Sequence, residues 1–436
     1  MTSATVIGAG LAGCEAANTL ANNGVLVTLI EQKPNRKSAA HKLDSFAELV
    51  CSNSLKSSST SSAAGLLKAE MRLMGSLSLE AADICAVAAG GALAVDRLIF
   101  SDYITKCIKS NKNINIVAEQ AAEIDDSSPV IVATGPLTDG ELAVRLCELC
   151  GEKALSFYDA AAPIVSAGSI DMERVSAACR YGKGTDDYLN CFFDKAGYEH
   201  FWGELVAAKT AQLHSFDEEK RVYEGCMPIE RLAQRGIESV RYGPMKPVGL
   251  VNPQTGHRPW AAVQLRRENE EGTMYNIVGF QTNLTFPEQK RVFSLIPGLE
   301  NAEFVRYGVM HRNSFLNSPK VLLPTLNLRT HENVFIAGQL TGFEGYMESA
   351  ACGILAARFL LDRLKGKVSA LPPKSSMCGA LLRYITAENK DFQPLGANMG
   401  ILPPLGEQIR DKRLKYEALA NRALLETEAY LNENSD

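Results

Sequence analysis

The first thirty-one residues constrain this chain more than anything that follows them. Ala4–Gly8 (ATVIG) is a short apolar run with the composition of a buried strand, and Gly8-Ala9-Gly10-Leu11-Ala12-Gly13 comes directly after it. Cys14–Ala21 has helical composition, and Val25–Glu31 (VLVTLIE) is a second apolar run that ends on an acid. Strand, glycine turn, helix, strand is a parallel βαβ unit in which each glycine has a task. Gly8 makes the tight turn, Gly10 lets backbone N–H groups approach a pyrophosphate, and Gly13 lets the helix pack closely on the strand. The helix N-terminus supplies partial positive charge to the phosphates. Glu31, 23 residues after Gly8, is placed to accept hydrogen bonds from ribose hydroxyls. The complete unit predicts a dinucleotide-binding domain.

Two later segments decide which dinucleotide. Pro129–Gly135 (PVIVATG) reads as a buried strand ending in Ala-Thr-Gly. Asn333–Gly338 (NVFIAG) reads as another, followed by Gln339 and the helix-like run GYMESAACGILAARFLLDRL. This order resembles the FAD-binding domain of glutathione-reductase-like flavoproteins. In that superfamily the late strand usually ends in Gly-Asp, and the Asp holds the flavin ribitol. Here Gln339 stands in its place, and an amide can still donate and accept. The expected fold is therefore α/β: a discontinuous, glutathione-reductase-like Rossmann domain for FAD with a mixed α/β insertion. Residues 1–150 begin the FAD domain, 151–330 form the insertion, and 331–436 complete the domain with C-terminal helices. The insertion holds strand-like runs at Tyr188–Phe193 and Tyr275–Gln281 and turn formers at Gly243-Pro244 and Asn252-Pro253. Ser57–Ser62 (SSSTSS) reads as a mobile loop.

Composition narrows the class. A chain of 436 residues is long enough for two or three domains. It holds 46% hydrophobic and 22% charged residues, which fits a globular protein and excludes a disordered or collagen-like one. No apolar stretch approaches a membrane span, and the N-terminus runs straight into a structural motif, so a cytoplasmic protein is expected. Eleven scattered Cys then read as reduced thiols. The six His show neither HxxxH nor HExxH spacing, and Cys147 and Cys150 form a lone CxxC inside a helical pattern, so no metal is expected. The net charge of −5 argues against a strongly basic, nonspecific nucleic-acid binder. That charge lies within the first 180 residues; the remainder is neutral but holds Lys220-Arg221, Arg266-Arg267, Lys290-Arg291 and the cluster Arg410–Lys415. Such pairs usually mark solvated faces, and together they leave room for a modest phosphate-contacting surface.

Two thiols stand apart. Cys51 lies in FAELVCSNSLK and Cys226 in YEGCMPIE, both among polar or turn-forming residues, whereas Cys14, Cys107, Cys179 and Cys352 sit in apolar helical patterns. Pro228 suits the first position of a helix, which would set Cys226 beside a helix N-terminus where the thiolate is favoured. Ser52, Asn53 or Ser54 could cap a turn after Cys51. A buried inert thiol is the competing reading for either. His311 and Arg312, in MHRN, could stack on a flat heterocycle or serve as structural hydrogen bonders. Tyr346 opens the helix after the late strand and should lie near the flavin.

The blocks FAELVCSNSLKS, GGALAVDR, FYDAAAPIV, EGCMPIE, GPMKPVGL, YNIVGFQTNL, LIPGLENAEFVRYGVMHRN and GQLTGFEGYMESAACG run in order from residue 46 to 353. With GAGLAGCEAA before them and DFQPLGANMG after, they resemble the folate- and FAD-dependent tRNA uracil-5-methyltransferase family, related to the larger GidA flavoproteins. The resemblance implies FAD as cofactor, with NADH or NADPH and methylenetetrahydrofolate as co-substrates. It implies methylation of C5 of a T-loop uridine in tRNA. It also implies functional cysteines at Cys226, as the nucleophile on uracil C6, and Cys51, as base or protecting thiol. His311, with Arg312, would stack on the pterin and Tyr346 would sit against the flavin. The same chemistry on a ribosomal uridine, or a GidA-like role in another tRNA uridine modification, are the alternatives.

Overall fold

A computed structural model describes residues 2–434 except 39, 152–154, 161, 183–185, 212–226, 270, 309, 390–391 and 407, with backbone alone at 155–160 and 310–312. The chain opens with β1 (Ser3–Ile7), crosses through the helix Leu11–Asn22 and returns parallel as β2 (Leu26–Glu31). A small antiparallel sheet follows, made of β3 (Ser54–Ser57), β4 (Ala86–Val87) and β5 (Ala92–Val95). β6 (Ile114–Ala118) and β7 (Val130–Val132) rejoin the parallel sheet. β8 (Leu155–Ala160) then leaves it for the insertion, where β9 (Ile164–Ser166), β10 (Val175–Ala177), β11 (Tyr188–Phe193), β12 (Ala261–Arg267), β13 (Met274–Ile277) and β14 (Phe304–Arg306) form a second sheet. β15 (Met310–Phe315) returns antiparallel to β8, and β16 (Val334–Ile336) closes the first sheet.

The first sheet has the order β16-β7-β1-β2-β6, all parallel. Its order reverses between β1 and β7, and doubly wound sheets bind ligands in the crevice at the carboxyl ends of the strands at that point. Val6, Leu29, Val132 and Ile336 are buried in it, as expected for strands covered on both faces. One face carries Leu11–Asn22 packed on the 19-residue helix Tyr346–Leu364 so closely that a Cβ on Gly353 would lie 2.1 Å from the Ala12 carbonyl oxygen. Phe315, Leu316, Leu322 and Leu328 already belong to this core, as do Leu419 and Ala423 of the last helix.

The second sheet, β10-β11-β12-β13-β9-β14, has its own core, with Phe193, Phe201, Phe280 and Phe293 in series at centroid separations of 5.4, 6.1 and 5.4 Å. Two buried carboxylates tie helices of the first domain together. Glu15 accepts from the Leu77 and Ser78 N–H groups (3.1 and 2.8 Å), and Glu70 from those of Met377 and Cys378 (2.6 and 2.9 Å). Each satisfies orphan donors at a helix N-terminus, where the dipole favours an anion.

The serine run is a loop as expected, between β3 and the next helix, with both ends tied down. Ser57 ends β3, and the Ser62 hydroxyl accepts from Gly65 N–H at 3.1 Å to cap the helix Ala63–Leu73. Short polar side chains that look like a linker in sequence are here the residues that best cap a helix. Cys179 departs from expectation, lying between β10 and a short 3₁₀ turn rather than in a helix. Among the described residues no helix is long and apolar enough to cross a membrane, and no cluster of three His, Cys, Asp or Glu could hold a metal ion.

Candidate functional site

A continuous cleft lies over the switch point, with about 1210 Å³ of atom-free space including its open mouth. Its floor is the glycine turn. Gly8 sits at φ +98°, and a Cβ there would come within 2.8 Å of the Ala133 carbonyl oxygen on the neighbouring strand. A Cβ on Gly13 would lie 1.8 Å from the Gly8 oxygen, so only glycine lets the helix approach the strand. At Gly10 an added Cβ meets nothing within 4 Å; it would project into the cleft instead. The first helical bond runs from Cys14 N–H to the Gly10 carbonyl at 2.9 Å, and no side chain caps the helix. The N–H groups of Leu11, Ala12 and Gly13 therefore precede the hydrogen-bonded ladder at the end that favours phosphate. This cradle fits a dinucleotide pyrophosphate.

One end of the cleft is walled by Glu31, Gln32, Lys33, His41, Glu48 and Glu119–Ala121. Glu31 is buried, and its two carboxylate oxygens accept from Ala9 N–H (2.6 Å) and Lys33 N–H (3.0 Å). The acid that lines this end of the cleft thus also fixes the glycine turn. The Lys33 ammonium donates to the Ser45 carbonyl, and Ala47, at φ +50°, donates its N–H to the Ala9 carbonyl (2.9 Å). These bonds lay the segment that leads to Cys51 along the cleft. Burial, then the Lys33 charge, hold the His41 imidazole below its usual range, and its Nδ1 lies 2.6 Å from the Ser38 hydroxyl.

The other end is walled by Gly135, Pro136, Gly338, Gln339, Tyr346, Ser349 and Val50. Gln339 donates its amide to the Glu344 carboxylate (2.6 Å), which leaves its carbonyl oxygen as an acceptor where the related fold uses Asp. Tyr346 opens its helix as expected, and its hydroxyl oxygen receives the N–H groups of Cys51 (2.7 Å) and Ser52 (3.2 Å). The Cys51 sulfur lies 2.9 Å from the same oxygen. Burial and then Cys51 raise the Tyr346 hydroxyl well above the usual phenol range, so it remains a proton donor. Cys51 therefore meets Tyr346 from 295 residues away, next to the wall of the cleft.

Other expected residues are placed less completely. Cys226 lies outside the described residues, as do Lys220 and Arg221. The helix expected after Pro228 is present as Ile229–Gln234, with Pro228 at its N-cap. His311 and Arg312 lie on β15, opposite Asp159 and Tyr158 of β8; their side chains lie outside the described residues. The backbone of β15 reaches the cleft rim, since Ser314 N–H donates to the Pro136 carbonyl (2.7 Å) and Leu316 N–H to that of Leu340 (2.8 Å).

Arg266 corrects a reading of the sequence. It does not lie on a solvated face: it is buried and donates to Asn53 Oδ1 and Ser52 Oγ, both at 2.9 Å. Arg97 and Arg306, unremarked in the sequence, reach the same segment, donating to the carbonyls of Leu49 and Val50. Nothing local marks any of the three. The GGALAVDR block did contain a cap: Asp96 accepts from Leu98 and Ile99 N–H, which sets Arg97 at the first turn of its helix. Lys290 and Arg291 are exposed, the latter paired with Glu288 and Glu204. The Arg410–Lys415 cluster is also exposed.

Known proteins share this architecture. Residues 3–368 match the family model described as glucose inhibited division protein A. A methylenetetrahydrofolate--tRNA-(uracil-5-)-methyltransferase TrmFO from Acetivibrio thermocellus is 53% identical over 431 residues, 99% of each chain. Proteins of the same name from Enterococcus faecalis and Heliobacterium modesticaldum are 53% and 52% identical over 421 and 432 residues, covering 96% of both chains and 99% of this chain with 98% of the other. The structure of Aquifex aeolicus GidA superposes with a TM-score of 0.70 at 16% identity, covering 99% of this chain and 73% of that longer one, and so shows a shared fold. The chain therefore belongs to the glucose-inhibited division protein A family of flavoprotein-like folds, among relatives that carry the TrmFO name.

Proposed function

We propose that this protein transfers the methylene of methylenetetrahydrofolate to C5 of a T-loop uridine in tRNA. The reaction depends on FAD, uses NADH or NADPH as reductant, takes place in the cytoplasm and yields 5-methyluridine. The observation that carries the reading is a thiol, Cys51, bonded to Tyr346 beside a dinucleotide cleft, in a chain similar over its whole length to relatives named for this reaction. When bound, FAD supplies the redox and one-carbon chemistry.

Gly8–Gly13 and Glu31 hold its nucleotide half, and Gly135, Gly338, Gln339 and Tyr346 its flavin half. Residues 1–150 and 331–436 serve the cofactor and 151–330 the RNA and the folate, with His311 and Arg312 against the pterin. Uracil C5 is a poor nucleophile. A Cys226 thiolate bonds to C6, and the C5=C6 electron pair moves toward O4, which makes C5 able to attack an electrophilic carbon. Cys51 takes the C5 proton as the transferred carbon leaves its carrier; the two electrons that NAD(P)H provides would reduce that carbon to methyl, and C5=C6 re-forms with release of the Cys226 thiolate. The target base leaves its stack to reach both thiols, at a cost of about a few kcal/mol.

Mass spectrometry of undermodified tRNA and ribosomal RNA, incubated with enzyme, NAD(P)H and methylenetetrahydrofolate, tests the reading. The expected product is 5-methyluridine in the tRNA T-loop. Product only on ribosomal RNA would replace the substrate, and product with S-adenosylmethionine as the sole carbon donor would discard the folate mechanism. Cys226→Ala should retain FAD and form no product; near-normal methylation would remove it as nucleophile.

A further inference from the structure

Five consecutive residues, Leu49–Asn53, are each held by a group distant in sequence. Arg97 Nη1 donates to the Leu49 carbonyl at 2.8 Å, and Arg306 donates to that of Val50. Tyr346 accepts the N–H groups of Cys51 and Ser52. Arg266 reaches the side chains of Ser52 and Asn53, and the Asn53 amide donates to the carbonyls of Val95 (3.1 Å) and Arg267 (2.9 Å). Arg97 starts a helix of the first domain, whereas Arg266 and Arg306 lie on β12 and β14 of the insertion. A segment that only needed to be ordered could be held by neutral donors. This one is held by three guanidinium groups.

The charge balance is uneven. Glu268, itself buried, takes a two-bond pair with Arg97 (2.7 and 3.1 Å), and among the described residues it is the carboxylate hydrogen-bonded to the cluster. Arg306 and Arg266 are pushed below their ordinary range by burial, while Arg97 is raised because Glu268, with smaller effects of Tyr346 and Cys51, outweighs its burial. Tyr188 of β11 lies beside Arg266, and the Lys56–Glu348 ion pair (2.7 Å) shares a small pocket with Tyr346. Buried cations left in excess are costly unless an anion faces them. Cys51 is the ionisable residue within Leu49–Asn53, with the Tyr346 hydroxyl at 2.9 Å ready to donate to its sulfur.

We propose that Arg97, Arg266 and Arg306 are positioning residues that clamp Leu49–Asn53 across the two domains and hold Cys51 as a thiolate, with Arg306 its principal counter-charge. The inference deepens the assignment of Cys51 as the base, since a thiolate can accept the C5 proton and a thiol cannot.

The test is iodoacetamide labelling of the FAD-bound protein from pH 5 to 10, with the Cys51 peptide quantified by mass spectrometry. Wild type should label with a midpoint at or below about pH 7.5, against about 8.5 for an ordinary Cys. Arg306→Met should move that midpoint up by about one unit, a tenfold change in the ionisation equilibrium. Arg306→Lys should restore most of it by returning the charge without the fork. A wild-type midpoint near 8.5, no labelling below pH 9, or an unshifted midpoint in FAD-bound Arg306→Met overturns the proposal. If Arg306→Met does not fold, the wild-type midpoint and Arg306→Lys still decide it. Methylation by Cys51→Ser reads the catalytic role separately: an active variant beside a low wild-type midpoint removes the base and leaves the clamp.

Discussion

The two ends of the cleft are built in opposite ways. At the nucleotide end, Glu31 bonds Ala9 from 22 residues away, inside one βαβ unit. At the other end, Cys51 meets Tyr346 across 295 residues and Val50 meets Arg306 across 256. The first end is set by local backbone geometry and could form wherever that unit folds. The second joins distant parts of the first domain, and Arg266 and Arg306 bring the insertion against the same segment. The cleft is therefore lined by one domain, while the Cys51 segment beside it is also held by the other.

Substitutions at each end should separate these properties. Gly10→Val puts a branched side chain into the open cradle and is expected to weaken FAD binding at least a hundredfold, about 2.7 kcal/mol. Protein purified without flavin absorbance but with native circular dichroism would agree; a yellow variant of wild-type affinity would mean the cradle does not carry the cofactor. Tyr346→Phe keeps the ring and removes the acceptor of two N–H groups and the partner of the Cys51 sulfur. Leaving such donors unsatisfied costs about 1–3 kcal/mol, so turnover should fall about tenfold or more with FAD still bound. Loss of flavin in step with activity would erase the distinction between the ends. Glu31→Gln should have the smallest effect, because an amide retains one acceptor but turns a donor toward a backbone N–H. FAD affinity should drop about tenfold by titration, with turnover at saturating FAD unchanged.

What could be read in the chain follows the same division. Gly8, Gly10, Gly13 and Glu31 were legible because the βαβ unit packs all its requirements into consecutive residues. The strands Val130–Val132 and Val334–Ile336 were legible because a buried parallel strand must be apolar throughout. Tyr346 was expected near the flavin because it opens the helix after the last of those strands, and it lines the cleft. Ser57–Ser62 was legible as a connection but not as a helix cap at Ser62, because a capping serine and a linker serine have the same local composition. Arg266 misled for a deeper reason: an adjacent basic pair on a strand sends its side chains to opposite faces, so Arg266 is buried while its neighbour Arg267 need not be.

The sequence by itself determined the parallel dinucleotide domain, its interruption by an insertion, and the two thiols worth attention. These depend on periodicity, glycine stereochemistry and composition over a few tens of residues. Only the tertiary structure decided that Cys51 faces Tyr346 and that three arginines from two domains surround its segment. Burial of a charge depends on what packs over it, and residues hundreds of positions apart supply that cover here.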